Sequence, residues 1–66
     1  MQNNLKVWRA KKAVTQEQLA DAIDVSRQTI GAIERGQYDP SLELAFELAH
    51  YFECDIEDIF EYAPDT

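Results

Sequence analysis

The chain has 66 residues, a formal net charge of −7 and a single cysteine. Because a domain of about 60 residues buries only about 60% of the surface that its unfolded chain exposes, we expect one small domain over residues 1–66. One unpaired thiol excludes a disulfide scaffold within the chain and suits a reducing compartment. No apolar run is long enough to cross a bilayer. We therefore expect a cytoplasmic protein with no membrane partner.

The charged residues are unevenly distributed along the chain. Residues 1–38 contain all six Lys and Arg residues and four acidic residues, whereas residues 39–66 contain nine acidic residues and no Lys or Arg. A polyanion would be attracted to the first part and repelled by the second. Solubility alone is the simpler explanation, and the charge distribution does not decide between the two.

Hydrophobic periodicity and capping residues predict an all-α chain of five short helices. These cover about residues 5–13, 16–23, 27–35, 42–52 and 56–60. Thr15 and Gln18 form a capping box at the start of the second helix, and Gly36 ends the third. The other predicted N-caps are Asn3 or Asn4, Ser26, Ser41 and Asp55.

The C-terminal part of the chain carries more apolar residues than a small core can cover. The core face of the fourth helix is expected to contain Leu42, Ala45, Leu48, Ala49 and Phe52. A two-fold homodimer interface, led by Ile56 and Phe60, is predicted to contain Tyr51, Ile56, Phe60 and Tyr62. The alternative is that the tail folds over these side chains within one chain. Phe60 and Tyr62 also favour a short strand that pairs with residues 1–3 as a two-stranded sheet.

The second and third helices match a helix-turn-helix over about residues 16–35, because both are short and a turn of three to four residues joins them. Ala20 is small at the position where the two helices must cross, and Val25 is an apolar residue that can fill the space between them. The third helix, about residues 27–35, would then lie in the major groove of DNA.

The solvent face predicted for the third helix lacks the Glu and Lys of an ordinary surface helix. It contains Arg27, Gln28, Gly31, Ala32 and Arg35. Gln28 can hydrogen-bond N6 and N7 of adenine, and Arg27 can bind O6 and N7 of guanine or a phosphate. Gly31 and Ala32 leave room for the helix backbone to approach the bases, and Ala32 can contact a thymine methyl group. A solvated face is the alternative for the polar pair, and a tolerated weakness of the helix is the alternative for Gly31.

Four segments carry a resemblance to a known family: TQEQLA, VSRQTI, IERGQYDPSL and DIEDIF. They resemble the lambda-repressor-like, Xre-type helix-turn-helix proteins, and the similarity covers residues 4–60. The chain is especially similar to short stand-alone repressors that carry no ligand domain. The resemblance implies a five-helix domain that binds double-stranded DNA and regulates transcription, with no small-molecule ligand.

The resemblance also implies roles for individual residues. Ser26, Arg27 and Gln28 match positions that contact phosphate and bases, and Gln16 matches one that donates to a phosphate beside helix amide groups. Further phosphate contacts are expected from Lys12, Thr29, Arg35 and Tyr38.

Two more positions are interpreted through the family. Arg9 and Glu34 match an ion pair that joins the first helix to the third, and two unrelated surface charges are the alternative. Gly31 departs from the family pattern, since a polar base-contacting residue such as Asn often occupies that position.

No enzymatic activity is expected. His50 and Cys54 are each the only residue of their type, so they supply no set of nucleophile, base and orienting group, and the chain lacks a Gly-rich phosphate loop. Neither a metal nor a cofactor is expected, and Cys54 is interpreted as a small apolar residue at a helix junction. We predict a homodimeric, sequence-specific repressor that binds a pseudo-palindromic operator. The alternative is an antitoxin or other protein-interaction module, whose third helix would present an acidic or apolar face.

Overall fold

The computed structural model describes residues 2–62. The elements follow in the order β1 (Gln2–Asn3), α1 (Leu5–Lys12), α2 (Gln16–Ala22), α3 (Arg27–Glu34), α4 (Leu42–Phe52), α5 (Ile56–Ile59) and β2 (Phe60–Glu61). The predicted all-α, five-helix architecture is confirmed, and four of the five helices end one residue earlier than the sequence indicated. No helix among the described residues has the length and apolar composition needed to cross a membrane.

The predicted caps account for where the helices begin. Thr15 Oγ1 accepts from Gln18 N at 3.0 Å, while Thr15 N donates to Gln18 Oε1 at 2.9 Å, so the capping box is complete. Ser26 and Ser41 cap α3 and α4 by accepting from the backbone amide three residues later. Each cap satisfies an amide that has no partner within its own helix.

The two ends of the described chain meet in a short antiparallel sheet. Gln2 pairs with Glu61 and Asn3 pairs with Phe60, which confirms the predicted sheet for these residues. Met1, which the prediction included, lies outside the described residues. The sheet holds β2 against the helices, and Phe60 consequently becomes part of the core.

Asn3 serves as a junction between the sheet and two helices. Its Oδ1 accepts from Leu5 N at 3.1 Å, and its Nδ2 donates to Ile33 O at 2.7 Å. Asn4 occupies the N-cap position of α1 without a side-chain capping bond. Of the two predicted caps, Asn3 therefore supplies the hydrogen bond, and it also satisfies a carbonyl near the end of α3.

The core receives side chains from every helix and from β2. Its buried members are Leu5, Leu19, Ala20, Ile30, Ile33, Leu44, Ala45, Leu48, Ala49, Phe52, Ile59 and Phe60. Ala20 is 2% exposed where α2 crosses α3, and Val25 packs against the core from the turn between them. Both positions thus behave as the helix-turn-helix interpretation requires.

One core assignment on α4 was wrong. Leu42 is 71% exposed, whereas Leu44 is buried. Positions 44, 45, 48 and 49 define the buried stripe, and Leu42 lies off that stripe at the first residue of the helix. Phe46, one turn after Leu42, is also exposed, so α4 carries an apolar ridge on its outer face.

Several segments end in the left-handed region of backbone conformation. Gly36 has φ 74° and ends α3 with hydrogen bonds from its own amide and that of Gln37, as its sequence position predicted. Ala13 at the end of α1 has φ 58° without being glycine. An L-residue there bears a steric cost of about 1–2 kcal/mol.

Ala13→Gly is therefore expected to raise the free energy of unfolding by roughly 0.5 kcal/mol, because relief of the steric cost outweighs the greater entropy of the unfolded glycine chain. Urea unfolding followed by circular dichroism measures the change. The matched control is Ala10→Gly in the exposed interior of α1, which is expected to lower the same quantity by about 1 kcal/mol. A loss of similar size in both variants would contradict strain at Ala13.

Candidate nucleic-acid interface

The face of α3 that points away from the core carries two polar side chains that are free to bind. Ile30 and Ile33 are buried in the core, while Arg27 and Gln28 are exposed at the start of the helix. Within residues 2–62, no other side chain forms a hydrogen bond or an ion pair with Arg27 or Gln28. Their donor and acceptor groups are thus available to a ligand.

Gly31 was expected to lie open to solvent on this face, but it does not. It is buried, because Arg35 extends its side chain back over the preceding turn. A Cβ atom on Gly31 would lie 3.0 Å from Arg35 Nη1. Arg35 Nε also donates to Gln37 Oε1 at 3.1 Å, a contact that the sequence analysis missed. The middle of the α3 face is therefore covered by a guanidinium, and Ala32 beside it is half-buried.

Ser26 and Thr29 lie together at the N-terminus of α3. Ser26 Oγ accepts from Thr29 N at 3.1 Å, and the two hydroxyl oxygens are 2.9 Å apart. When Thr29 donates its hydroxyl hydrogen to Ser26, the hydroxyl hydrogen of the exposed Ser26 is free for an external acceptor.

Tyr38 lies across a groove from the turn between α2 and α3. It is half-exposed, and with Thr29 it lines a groove of about 450 Å³. Glu43 and Glu47 of α4 line the same groove. The structure thus brings two predicted phosphate contacts together, but with Asp24 it places three acidic residues around the same groove, and their charges disfavour a phosphate inside it.

A hydrogen-bonded ion pair fixes α3 against α1 and α2. Arg9 Nε lies 2.8 Å from Glu34 Oε2, and the two side chains are only 17% and 7% exposed. Arg9 Nη1 donates to Val14 O at 3.1 Å. On the other side, Gln16 Nε2 donates to Glu34 Oε1 at 2.9 Å. The predicted pair is present, and Gln16 joins it through one of its two amide hydrogens.

Lys12 is engaged at the end of α4. Its Nζ lies 4.6 Å from the centroid of the Tyr51 ring and donates to Tyr51 O at 3.4 Å. A phosphate contact by Lys12 would therefore compete with a cation–π contact, which is worth about 0.5–1 kcal/mol at an exposed site.

The predicted interface residues near the C-terminus differ in exposure. Phe60, expected to lead that patch, is 7% exposed and belongs to the core of its own chain, because the β1–β2 pairing draws it inward. Tyr51 packs edge-on against Phe52 at 4.9 Å and under Lys12. Tyr62 is 81% exposed. Phe60 is therefore buried within its own chain and offers little surface to a partner.

A small apolar groove lies where α4 approaches α5. It has a volume of about 270 Å³ and is lined by Pro40, Leu42, Ala45, Ile56 and Phe60. Phe60 forms part of its wall while staying mostly buried, and Leu42 belongs both to this wall and to the exposed ridge of Leu42 and Phe46. This ridge was not predicted from the sequence, although the spacing of four residues between Leu42 and Phe46 is typical of neighbours on one helix face.

Cys54 fits the interpretation of a packed residue. It is a free, half-buried cysteine against the core. Burial raises the pKa of its thiol, and the carboxylates of Asp58 and Asp55 raise it further, while Lys11 lowers it. The reactive thiolate is thereby disfavoured.

Glu34→Ala is expected to lower the free energy of unfolding by about 3 kcal/mol, because it leaves the Arg9 guanidinium largely buried without its carboxylate. Chemical denaturation of the variant measures this loss. Glu47→Ala, at an exposed position of α4, is the control and is expected to change stability by less than about 0.5 kcal/mol. Equal losses in the free energy of unfolding of the two variants would show that the ion pair stabilises the fold no more than an exposed residue does.

Known proteins resemble the chain over nearly its whole length. The helix-turn-helix family matches residues 5–59. An HTH-type transcriptional regulator of Methanocaldococcus jannaschii is 58% identical over 65 residues, which is 98% of each chain. The HTH-type transcriptional regulator YgzD of Bacillus subtilis is 43% identical over 60 residues, which is 91% of each chain.

A solved structure shares the fold. The solution structure of the SOS-response transcriptional repressor LexA from Eubacterium rectale aligns with a TM-score of 0.79 and 33% identity, over 96% of this chain and 70% of that one. The chain therefore belongs to the lambda-repressor-like, Xre-type helix-turn-helix family of DNA-binding transcriptional regulators.

Proposed function

We propose that the protein is a cytoplasmic transcriptional repressor, a single domain that binds a pseudo-palindromic DNA operator as a homodimer and occludes the promoter. The observation that carries the proposal is the polar face at the start of α3, where Arg27 and Gln28 have no side-chain partner within residues 2–62. A protein-interaction module would instead present an acidic or apolar α3 face. The basic and amide groups favour DNA.

Base contacts are assigned to Arg27 and Gln28 in the first turn of α3 and to Ala32 in the next turn. Gln28 presents an amide that matches N6 and N7 of adenine, and Arg27 presents a guanidinium that matches O6 and N7 of guanine. Ala32, half-buried and small, can meet a thymine methyl group. Such contacts distinguish one base pair from another, so they would determine which operator is bound.

Phosphate contacts are assigned to groups that flank this face. Ser26 and Thr29 offer hydroxyl groups at the N-terminus of α3, and Gln16 keeps one amide hydrogen after donating to Glu34. Tyr38 offers a phenolic hydroxyl, and Lys12 contributes a charge that must first leave Tyr51. These groups would fix the orientation of α3 in the groove without specifying sequence.

The charge distribution supports one direction of approach. Residues 1–38 have a net charge of +2 (six basic and four acidic residues), and residues 39–66 have a net charge of −9. Because α1 carries four of the six basic residues and α3 begins at Arg27, while α4 and α5 lie in the acidic range, a polyanion is drawn to the side of α1 and the start of α3. The acidic helices then lie away from the phosphates or at the junction of two protomers.

The homodimer is proposed to form through the ridge and the groove together. Leu42 and Phe46 project from α4 beside the groove whose wall includes Ile56 and Phe60. A two-fold contact would place the ridge of each protomer against the groove of the other. Tyr62, which is exposed next to β2, would extend the contact, and Tyr51 would lie at its edge. This arrangement presents two copies of α3 to half-sites about one helical turn apart.

Selection of bound duplexes from a random pool tests the proposed function. The wild type is expected to enrich an inverted repeat, and Gln28→Ala is expected to lose discrimination at one base pair by about 1–3 kcal/mol while folding normally. Gln2→Ala, in β1, is the control and should select the same sequence as the wild type. Equal weakening by Gln28→Ala on every sequence would contradict base contact by Gln28.

Leu42→Asp tests the dimer, and because Leu42 is exposed the change spares the core. Sedimentation is expected to show a monomer, with operator affinity reduced about 100-fold or more through loss of the second half-site contact. Ile56→Asp should act in the same direction. Val7→Asp, at an exposed apolar position on α1, is the control and should remain dimeric.

Salt separates the two interactions further. Self-association brings two acidic halves together and should tighten as salt screens them. DNA binding should weaken over the same range because counterions are released from the phosphates. If Leu42→Asp sediments like the wild type, the ridge of Leu42 and Phe46 is not part of the dimer interface.

A further inference from the structure

The middle of the α3 face is occupied by a side chain that starts one turn further along the chain. Side chains on a helix lean towards its N-terminus, so a residue covers the surface one turn before its own Cα. Arg35 follows Gly31 by four residues, and its Nη1 lies 3.0 Å from the position of a Cβ atom on Gly31. Gly31 is unfavourable inside a helix, but here the missing side chain leaves space for the guanidinium.

The neighbouring side chains leave most of the hydrogen-bond donors of this guanidinium unused. Arg35 Nε donates to Gln37 Oε1 at 3.1 Å, which uses one of its five N–H donors. The adjacent carboxylate of Glu34 is occupied by Arg9 and Gln16, so it does not hold Arg35. The two terminal nitrogens of Arg35 have no other hydrogen-bond partner within residues 2–62. They form a pair of parallel donors lying across α3.

We propose that Arg35 is a base-contacting residue that recognises a guanine in each half-site, and that Gly31 is a positioning residue that allows Arg35 to lie across α3. This inference rests on the proposed entry of α3 into the major groove. It assigns Arg35 to sequence discrimination, whereas the sequence led us to expect a phosphate contact. It also gives Gly31 a role other than close approach of the helix backbone to DNA.

The position of the guanidinium favours a base over a phosphate. Residues 27, 31 and 35 succeed one another at intervals of four along α3 and its C-cap, and Arg35 keeps helical backbone angles, so the three residues share one face of the helix. The guanidinium over Gly31 therefore lies on the same face as Arg27 and Gln28, which point to the floor of the groove when α3 enters it. Its paired donors match O6 and N7 of guanine. A phosphate contact at the flank would require Arg35 to leave Gly31.

Duplex selection followed by affinity measurement on single-base variants of the selected site tests the assignment. Arg35→Ala is expected to lose preference at one G·C pair in each half-site by about 5- to 150-fold, while preferences at other positions persist. Arg35→Lys keeps the charge but not the paired donors, so it should lose much of the same preference. A uniform loss on all sequences, with the salt dependence reduced by about one phosphate contact, would overturn the assignment.

Gly31→Ala tests the positioning role without threatening the fold. The new Cβ meets only the end of the flexible Arg35 side chain, and alanine is the better helix former, so the melting temperature should rise. The variant should weaken the same G·C preference as Arg35→Ala, and the double variant should show no additional loss. An effect at a different base pair, or none, would overturn the role of Gly31.

The contact can also be tested without DNA, which separates this inference from the proposed function. The Nε–H resonance of Arg35 in the free wild type should shift in both Gly31→Ala and Gln37→Ala. An unchanged resonance in Gly31→Ala would overturn the positioning role even if the wild type selects an operator. Failure of the wild type to select any sequence would overturn both base contact and the proposed function, while the shifts would still establish the contact over Gly31.

Discussion

The carboxylate of Glu34 is the point at which three helices are joined. Arg9 brings α1 to it and Gln16 brings α2 to it, each through a hydrogen bond shorter than 3 Å. Because Glu34 is the last residue of α3, this network fixes the rotation of that helix about its own axis. The rotation determines which side chains face outward, so the chemistry of the α3 face depends on an interaction that makes no contact with that face.

Local signals predicted most of the fold because each acts over three or four residues. Thr15 and Gln18 specify the start of α2 through hydrogen bonds that depend only on their own spacing. The sheet was also predictable, since Phe60 and its neighbours favour a strand and the N-terminus could provide a partner. The burial of Phe60 could not be predicted in the same way, because it depends on the pairing of β1 with β2. The assignment of Leu42 to the core was wrong for a related reason. The apolar residues of α4 can form two stripes along the helix, and only tertiary packing decides which stripe is buried.

The interface shows where sequence reasoning stops. Periodicity correctly placed Arg27 and Gln28 on the outer face, because each projects from its own turn. The exposure of Gly31 was predicted wrongly. Periodicity gives the direction of each Cα–Cβ bond, but it does not show that the long side chain of Arg35 covers Gly31. The ion pair between Arg9 and Glu34 came from the family pattern, because 25 residues separate its members and no local rule connects them.

The terminal sheet has a consequence for the order in which the protein assembles. It joins residues 2–3 to residues 60–61, so its formation must bear the entropy of closing nearly the whole chain into a loop. The contacts between α2 and α3, by contrast, join residues that are close in sequence, and such contacts form early in folding. We therefore expect the helix-turn-helix to form before the groove wall at Phe60 is complete, so that the surface proposed for DNA is in place before the surface proposed for a second protomer.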